Sequence, residues 1–157
     1  MAKPENTDEP RKLIARNKRA RHDYEITETW EAGLVLRGTE VKSLREGRAN
    51  LTDSYGVTNE GEVFLLNLNI GAYGMGNQFN HDPTRSRKLL LHRREIRRLY
   101  GALERQGMTL LPLELYFVRG RVKVLLGLGR GKQAHDKRED LKKKDADREI
   151  ARALRTR

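Results

Sequence analysis

The alternation of apolar and polar positions predicts a body of short strands with one small and one longer helix. From Asp23 to Arg37, Tyr24, Ile26, Trp30, Ala32, Leu34 and Leu36 share one face of an extended strand. Asp23, Glu25, Thr27, Thr29, Glu31 and Arg37 share the other, and Glu28 interrupts the apolar face, which marks a bulge or bend. Gly38-Thr39 offers an N-cap and Gly47 a stop, so a short helix is expected over about 39–46. A second strand is predicted at Asn50–Thr58, with Leu51, Tyr55 and Val57 on one face. Asn59-Glu60-Gly61 turns it into a hairpin with Val63–Ile70, whose Phe64, Leu66, Leu68 and Ile70 face inward. Gly71–Lys88 reads as a long loop.

His92–Gln106 carries Ile96, Leu99, Tyr100 and Leu103 at helical spacing, with Gly107 closing the helix and Arg93, Arg94, Arg97, Arg98 and Arg105 on its other faces. Thr109–Val118 and Arg121–Leu128 are two strands joined at Arg119-Gly120, and Pro112 requires an edge or a bulge in the first. The glycines of Gly127–Gly131 read as a flexible exit from the last strand. The fold class is mostly β, a small antiparallel barrel or open sheet, since parallel strands would be apolar on both faces.

Composition adds a partner class. The 157 residues carry a formal charge of +11, with 35% charged and 36% hydrophobic residues. Residues 1–22 hold 7 basic and 3 acidic side chains and residues 130–157 hold 11 and 6, whereas 23–129 holds 15 and 13. A near-neutral body between two basic arms is the expected layout. From 132 on, the large apolar residues are Leu141, Ile150 and Leu154, too few for a core, so this tail is expected to be disordered in solution and to fold on contact. The absence of cysteine excludes disulfides and thiolate chemistry. No apolar run approaches the ~18–20 residues that cross a bilayer and no signal peptide opens the chain, so a soluble, cytoplasmic protein without a membrane partner is expected.

Catalytic schemes find little support. His22, His81, His92 and His135 have no metal-ligand spacing and read as surface residues, and Gly127–Lys132 fails the phosphate-loop pattern at both ends. Glu28 and Glu31, three apart on a strand, point to opposite faces. No enzyme activity, metal or cofactor is expected. The cations are more informative: Arg16–His22 contains Arg16, Lys18, Arg19 and Arg21 beside Asn17 and His22, and Arg85-Ser-Arg-Lys88 leads to Arg93-Arg94 and Arg97-Arg98. Arginine forks grip phosphates and stack on bases, which points to nucleic acid. A structural ribosomal protein of the same barrel type, with tails woven into ribosomal RNA, is the alternative within that class.

Five strings take the reading further: Asn17–Tyr24, Glu31-Ala-Gly33, Gly38–Arg45, Asp82–Leu91 and Gly131–Arg138 resemble, in order and spacing, the small protein B family, which binds transfer-messenger RNA (SsrA RNA) in bacterial trans-translation. The resemblance covers about residues 13–157. It implies an OB-like antiparallel barrel with two or three flanking helices, arranged as an N-terminal extension (1–12), an RNA-binding barrel (13–131) and a basic tail (132–157) that becomes helical on the ribosome. The barrel would grip the tRNA-like domain of transfer-messenger RNA and bring it to stalled ribosomes for rescue and peptide tagging. Implied RNA-binding residues are Asn17, Lys18, Arg19, Arg21, His22, Glu31, Lys42, Arg45, Lys88, Leu90 and His92, the last where the family often has Asn. The tail residues Lys132, His135, Asp136, Lys137, Arg138, Lys142, Lys143 and Lys144 would enter the decoding centre and messenger channel of the small subunit. Elongation factor Tu is a further implied partner in the delivery complex, and the bound protein is expected to be a monomer.

Overall fold

The computed structural model describes residues 10–73 and 80–131, together with Arg148 and Ile150. The expectation of a disordered tail that folds on the ribosome falls outside the described residues, apart from those last two.

Among residues 10–131 the described elements are nine strands and three helices, in the order β1 (Arg11–Arg16), α1 (Lys18–Asp23), β2 (Tyr24–Leu34), α2 (Gly38–Arg45), β3 (Ala49–Asn50), β4 (Tyr55–Asn59), β5 (Glu62–Leu66), β6 (Asn69–Ile70), β7 (Arg87–Leu90), α3 (Arg93–Arg105), β8 (Thr109–Val118) and β9 (Arg121–Gly131). Seven strands form one sheet in the order β1-β8-β4-β5-β7-β2-β9, and β9 returns to pair with β8, so six of them close a ring. Every pairing is antiparallel. Of the two arrangements that the alternation allows, a small antiparallel barrel or an open sheet, this is the barrel, with three flanking helices among the described residues. Its interior holds Leu65, Leu89, Leu110, Leu115, Val124 and Leu126, each at most 1% exposed, and Leu99 and Ala102 of α3 pack onto the same cluster.

Several expectations are corrected. The N-terminal arm is not separate from the body: β1 pairs with β8 from Arg11 opposite Val118 to Arg16 opposite Glu114, and α1 follows directly. The expected bulge in β2 lies between Ile26 and Glu28, where two residues stand against one on β9. It swaps the faces of the strand, so the six apolar residues do not share one side. Trp30 and Ala32 face the main core, whereas Tyr24 and Ile26 pack with Ala20, Leu111 and Leu113 in a second cluster outside the barrel.

The expected strand Asn50–Thr58 is two, β3 and β4. In the next segment Val63 and Leu65 are fully buried instead of Phe64, because Asn67 at φ 57 interrupts the chain and restarts the alternation with Leu68 and Ile70. The expected loop ends early, at Arg87, where β7 joins β5 and β2. Helix α2 starts one residue sooner than expected, after Arg37 rather than at a Gly38-Thr39 cap, with the Glu40 carboxylate accepting the Arg37 N–H at 2.7 Å. In α3, Tyr100 is 52% exposed and Ala102 takes the buried place. Finally, Gly127 and Gly129 belong to β9 and are not a loose exit. A Cβ at Gly129 would stand 2.4 Å from the Glu25 carbonyl oxygen, and one at Gly127 2.8 Å from Leu113 Cδ1.

Candidate nucleic-acid interface

Helix α1 has six residues and one buried side chain, Ala20, too little to hold a helix by itself. Asn17 fastens it. This N-cap residue is 6% exposed; its Oδ1 accepts the Ala20 N–H at 3.2 Å and its Nδ2 donates to the Leu51 and Pro112 carbonyls at 3.2 and 3.1 Å. With Ala20 inward, Lys18, Arg19, Arg21 and His22 all lie exposed. The nearby acid is Asp23, 2.9 Å from His22 Nδ1 and 4.0 Å from Arg19 Nε, and both contacts are in solvent. Asn17 therefore differs from its neighbours: its amide is spent inside the protein, theirs point out.

Glu31 lies on the outer face of the sheet. Its cross-strand partner Leu125 packs into the cluster under Ala20, so α1 and Glu31 flank the same patch. Two strands over, the Tyr116 hydroxyl donates to Glu31 Oε2, and Arg11 Nη2 lies 3.6 Å from that oxygen while its guanidinium stacks 4.8 Å from the Tyr116 ring centre. Leu90 stands opposite Gly33 on the same outer face and lies over it, its Cβ and Cδ1 each 3.3 Å from where a glycine Cβ would be. Leu90 is 53% exposed. Lys88, on that face of β7, bonds Glu62 at 2.9 Å. His92 is the exposed N-cap of α3, and its backbone N–H donates to Glu95 at 2.8 Å.

The patch thus unites α1, Glu31, Lys88 and Leu90, and His92 follows Leu90 by two residues as α3 begins. Lys42 and Arg45 stand elsewhere. They are exposed on α2, whose contacts run to β6 and the 82–87 segment, and Lys42 Nζ sits 5.6 Å from the Tyr73 ring centre. The tail residues Lys132, His135–Arg138 and Lys142–Lys144 lie outside the described residues. Arg11 and Tyr116 are the members that sequence reasoning missed. Arg11 fell within the segment taken as an extension, and only the pairing of β1 with β8 brings it to Glu31.

The cluster at Arg85–Lys88 has a different character. Arg87 is fully buried, its Nε donating to Glu40 Oε2 at 2.6 Å and its Nη1 to the Leu68 carbonyl at 2.6 Å. Arg85 grips the same buried carboxylate through Nε at 3.0 Å and Nη2 at 2.6 Å. Burial alone would raise the Glu40 pKa, but the bonds from Arg85 and the Arg37 N–H and the charge of Arg87 outweigh it and hold the carboxyl below its ordinary value. Burial pulls Arg87 down, opposed by the charge of Glu40. His81, expected at the surface, is 4% exposed and bonded at both nitrogens, to Thr39 Oγ1 at 2.9 Å and the Ile70 carbonyl at 2.8 Å.

Among the described residues no helix is long and apolar enough to cross a membrane. The sequence model of the family described as SmpB protein matches residues 14–156. An SsrA-binding protein of Anoxybacillus flavithermus is 60% identical over 146 residues, spanning 93% of this chain and 95% of that protein. The SsrA-binding protein of Bacillus subtilis is 57% identical over 144 residues, 92% of each. A chain of the solved structure described as "tmRNA-SmpB: a journey to the center of the bacterial ribosome" aligns with a TM-score of 0.66 and 57% identity, covering 85% of this chain and 94% of that one. With a family match over nearly all of its length and relatives this similar, the chain belongs to the SmpB protein family.

Proposed function

We infer that this protein is an RNA-binding factor that grips the tRNA-like domain of transfer-messenger RNA and delivers it to stalled ribosomes for trans-translation. The observation that carries this reading is the outer patch, where a cationic helix pinned by Asn17 flanks a partly buried carboxylate and an exposed leucine on one sheet face. Lys18, Arg19, Arg21 and His22 take the phosphates. Leu90 offers apolar surface to an unstacked base or ribose, and Glu31 accepts from a base edge or a 2′-hydroxyl. Asn17 serves by holding α1 in place, and His92 extends the patch along the start of α3. Lys42 and Arg45 form a separate basic edge for a neighbouring stretch of RNA.

The barrel to Gly131 and the tail from Lys132 divide the work. The tail's Lys132, His135–Arg138 and Lys142–Lys144 enter the messenger channel near the decoding centre, where an RNA wall suits a basic segment poor in apolar residues. The protein acts by binding rather than by bond chemistry, in the cytoplasm, as a monomer beside elongation factor Tu. Truncation after Gly131 tests the division: binding to transcribed tRNA-like domain stays near native while peptide tagging in a translation assay is abolished. Equal loss of both contradicts a two-part mechanism.

A further inference from the structure

The outer face of the sheet spends an unusual amount of structure on one carboxylate. Glu31 sits amid a cationic surface, and an unrestrained glutamate there would be drawn to any neighbouring cation and repelled by every arriving phosphate. It is instead held at Oε2 by Tyr116, 1% exposed, whose hydroxyl is directed to this side chain, and by Arg11, which covers the Tyr116 ring at 4.8 Å and approaches the same oxygen at 3.6 Å. Both restraints reach Oε2, so among the described residues Oε1 is left to accept from a ligand. Strand register makes the arrangement rigid: Tyr116 faces Lys123, which faces Gly33, and β1 places Leu13 against Tyr116 two positions from Arg11. A buried phenol on one strand, a stacked guanidinium on the next and a glutamate two strands away make one fixed acceptor.

We propose that Tyr116 and Arg11 are positioning residues of the RNA-binding face: they lock Glu31 so that Oε1 accepts a hydrogen bond from a nucleobase amino or imino group or a 2′-hydroxyl, and so determine specificity rather than bulk affinity. The proposal rests on Glu31 belonging to the interface. A carboxylate contact neutralises no phosphate and releases no counterion, so its loss lowers affinity for the correct RNA without changing the dependence on salt. Arg11 helps by balancing the carboxylate's charge as RNA approaches.

The test uses the full chain, the transcribed tRNA-like domain as probe and an unrelated RNA duplex of equal length as control. Tyr116→Phe keeps the ring and removes the hydroxyl; it is expected to weaken binding to the probe about tenfold, to leave the duplex unaffected and to preserve the salt slope. Glu31→Gln gives a similar loss, and the double variant binds no more weakly than the weaker single, because both changes remove one contact. Arg11→Gln, on an exposed side chain, provides a second route independent of the Tyr116 ring: its loss is masked in the Glu31→Gln background. Native probe binding by a folded Tyr116→Phe protein, or losses that multiply in the double variants, overturns the proposal; a multiplying Arg11 loss with a flattened salt slope makes Arg11 a phosphate contact instead. Glu31→Gln with unchanged binding removes Glu31 from the interface and fells the reading beneath it, an outcome distinct from silence at Tyr116 alone.

Discussion

Lys18-Arg-Ala-Arg21 and Arg85-Ser-Arg-Lys88 each put three cations in four residues, and in sequence they are interchangeable. In the fold they are opposites. The first is a helix whose one small residue faces in, so its cations have nowhere to go but solvent. The second enters a strand, where alternate side chains take opposite faces: Arg87 points inward and Lys88 outward. What makes Arg87 tolerable inside is Glu40 from α2, with four backbone carbonyls taking its remaining protons. A charge run on a short helix is surface by geometry, and the same run on a strand is half interior. The first can carry function and the second carries fold.

The sharpest way to break this contrast is to remove Glu40. Glu40→Gln leaves Arg87 charged and buried without its hydrogen-bonded carboxylate and is expected to cost about 3–5 kcal/mol of stability in urea unfolding. Adding Arg87→Met recovers part of that loss, since deleting both charges of a buried pair is far cheaper than deleting one. RNA affinity of the folded fraction stays native in both. The same pair sets an acid limit. The Glu40 carboxyl is held below its ordinary 4.5, so its contribution is complete above that pH and disappears as the pH falls through the lowered folded value. Unfolding free energy measured from pH 6 downward should therefore decline more steeply for the native chain than for Glu40→Gln; parallel curves would show the pair to be idle.

The opposite result is expected on α1. Reversing Arg19 and Arg21 to Glu should weaken binding to the tRNA-like domain on the order of a hundredfold at moderate salt and reduce the salt slope by about 2. Stability should change by no more than about 0.5 kcal/mol, because both side chains are exposed. An unchanged slope would remove α1 from the interface and leave the two runs alike in having no ligand.

What could be read beforehand follows the same physics. The β8–β9 hairpin was legible to the residue at its turn, because its alternation is long and Arg119-Gly120, at φ 52 and 75, supplies the left-handed pair a tight hairpin needs. The bulge at Glu28 was legible as an interruption, but its effect was not, because a one-residue insertion reverses every side chain on one side of it. β1 and α1 were invisible: Arg11–Arg16 has no alternation, and what holds α1 is an asparagine reaching carbonyls 34 and 95 positions away. The proposed interface was legible where it is made of local charge. Glu31 and Leu90 came only through resemblance to a family, and Tyr116 could not be tied to Glu31, 85 residues away, without the register between them.

Asn17 lies between the two extremes, a buried polar residue that serves an exposed charged helix. Asn17→Ala removes the cap and strands two buried carbonyls, for an expected loss of about 1–2 kcal/mol in urea unfolding. RNA affinity should fall several-fold although no charge has changed, because α1 loses its anchor. Full affinity with reduced stability would show that the helix is placed by Ala20 packing alone.

The smallest effect is expected at Arg98, which makes the contrast a gradation. It is exposed on α3 among the arginines that follow the Arg85–Lys88 run, yet it pairs with Glu28 at the β2 bulge, and that hydrogen bond raises its pKa. Its charge is already answered, and an ion pair in solvent adds little to folding. Arg98→Gln should therefore leave the unfolding midpoint and the RNA salt slope both unchanged, where Glu40→Gln moves the first and the α1 reversals move the second. A drop in slope of about 1 at Arg98 would mean that RNA displaces Glu28 as its partner. It would extend the interface onto α3, and exposure, rather than the lack of an internal partner, would then decide which arginines meet the ligand.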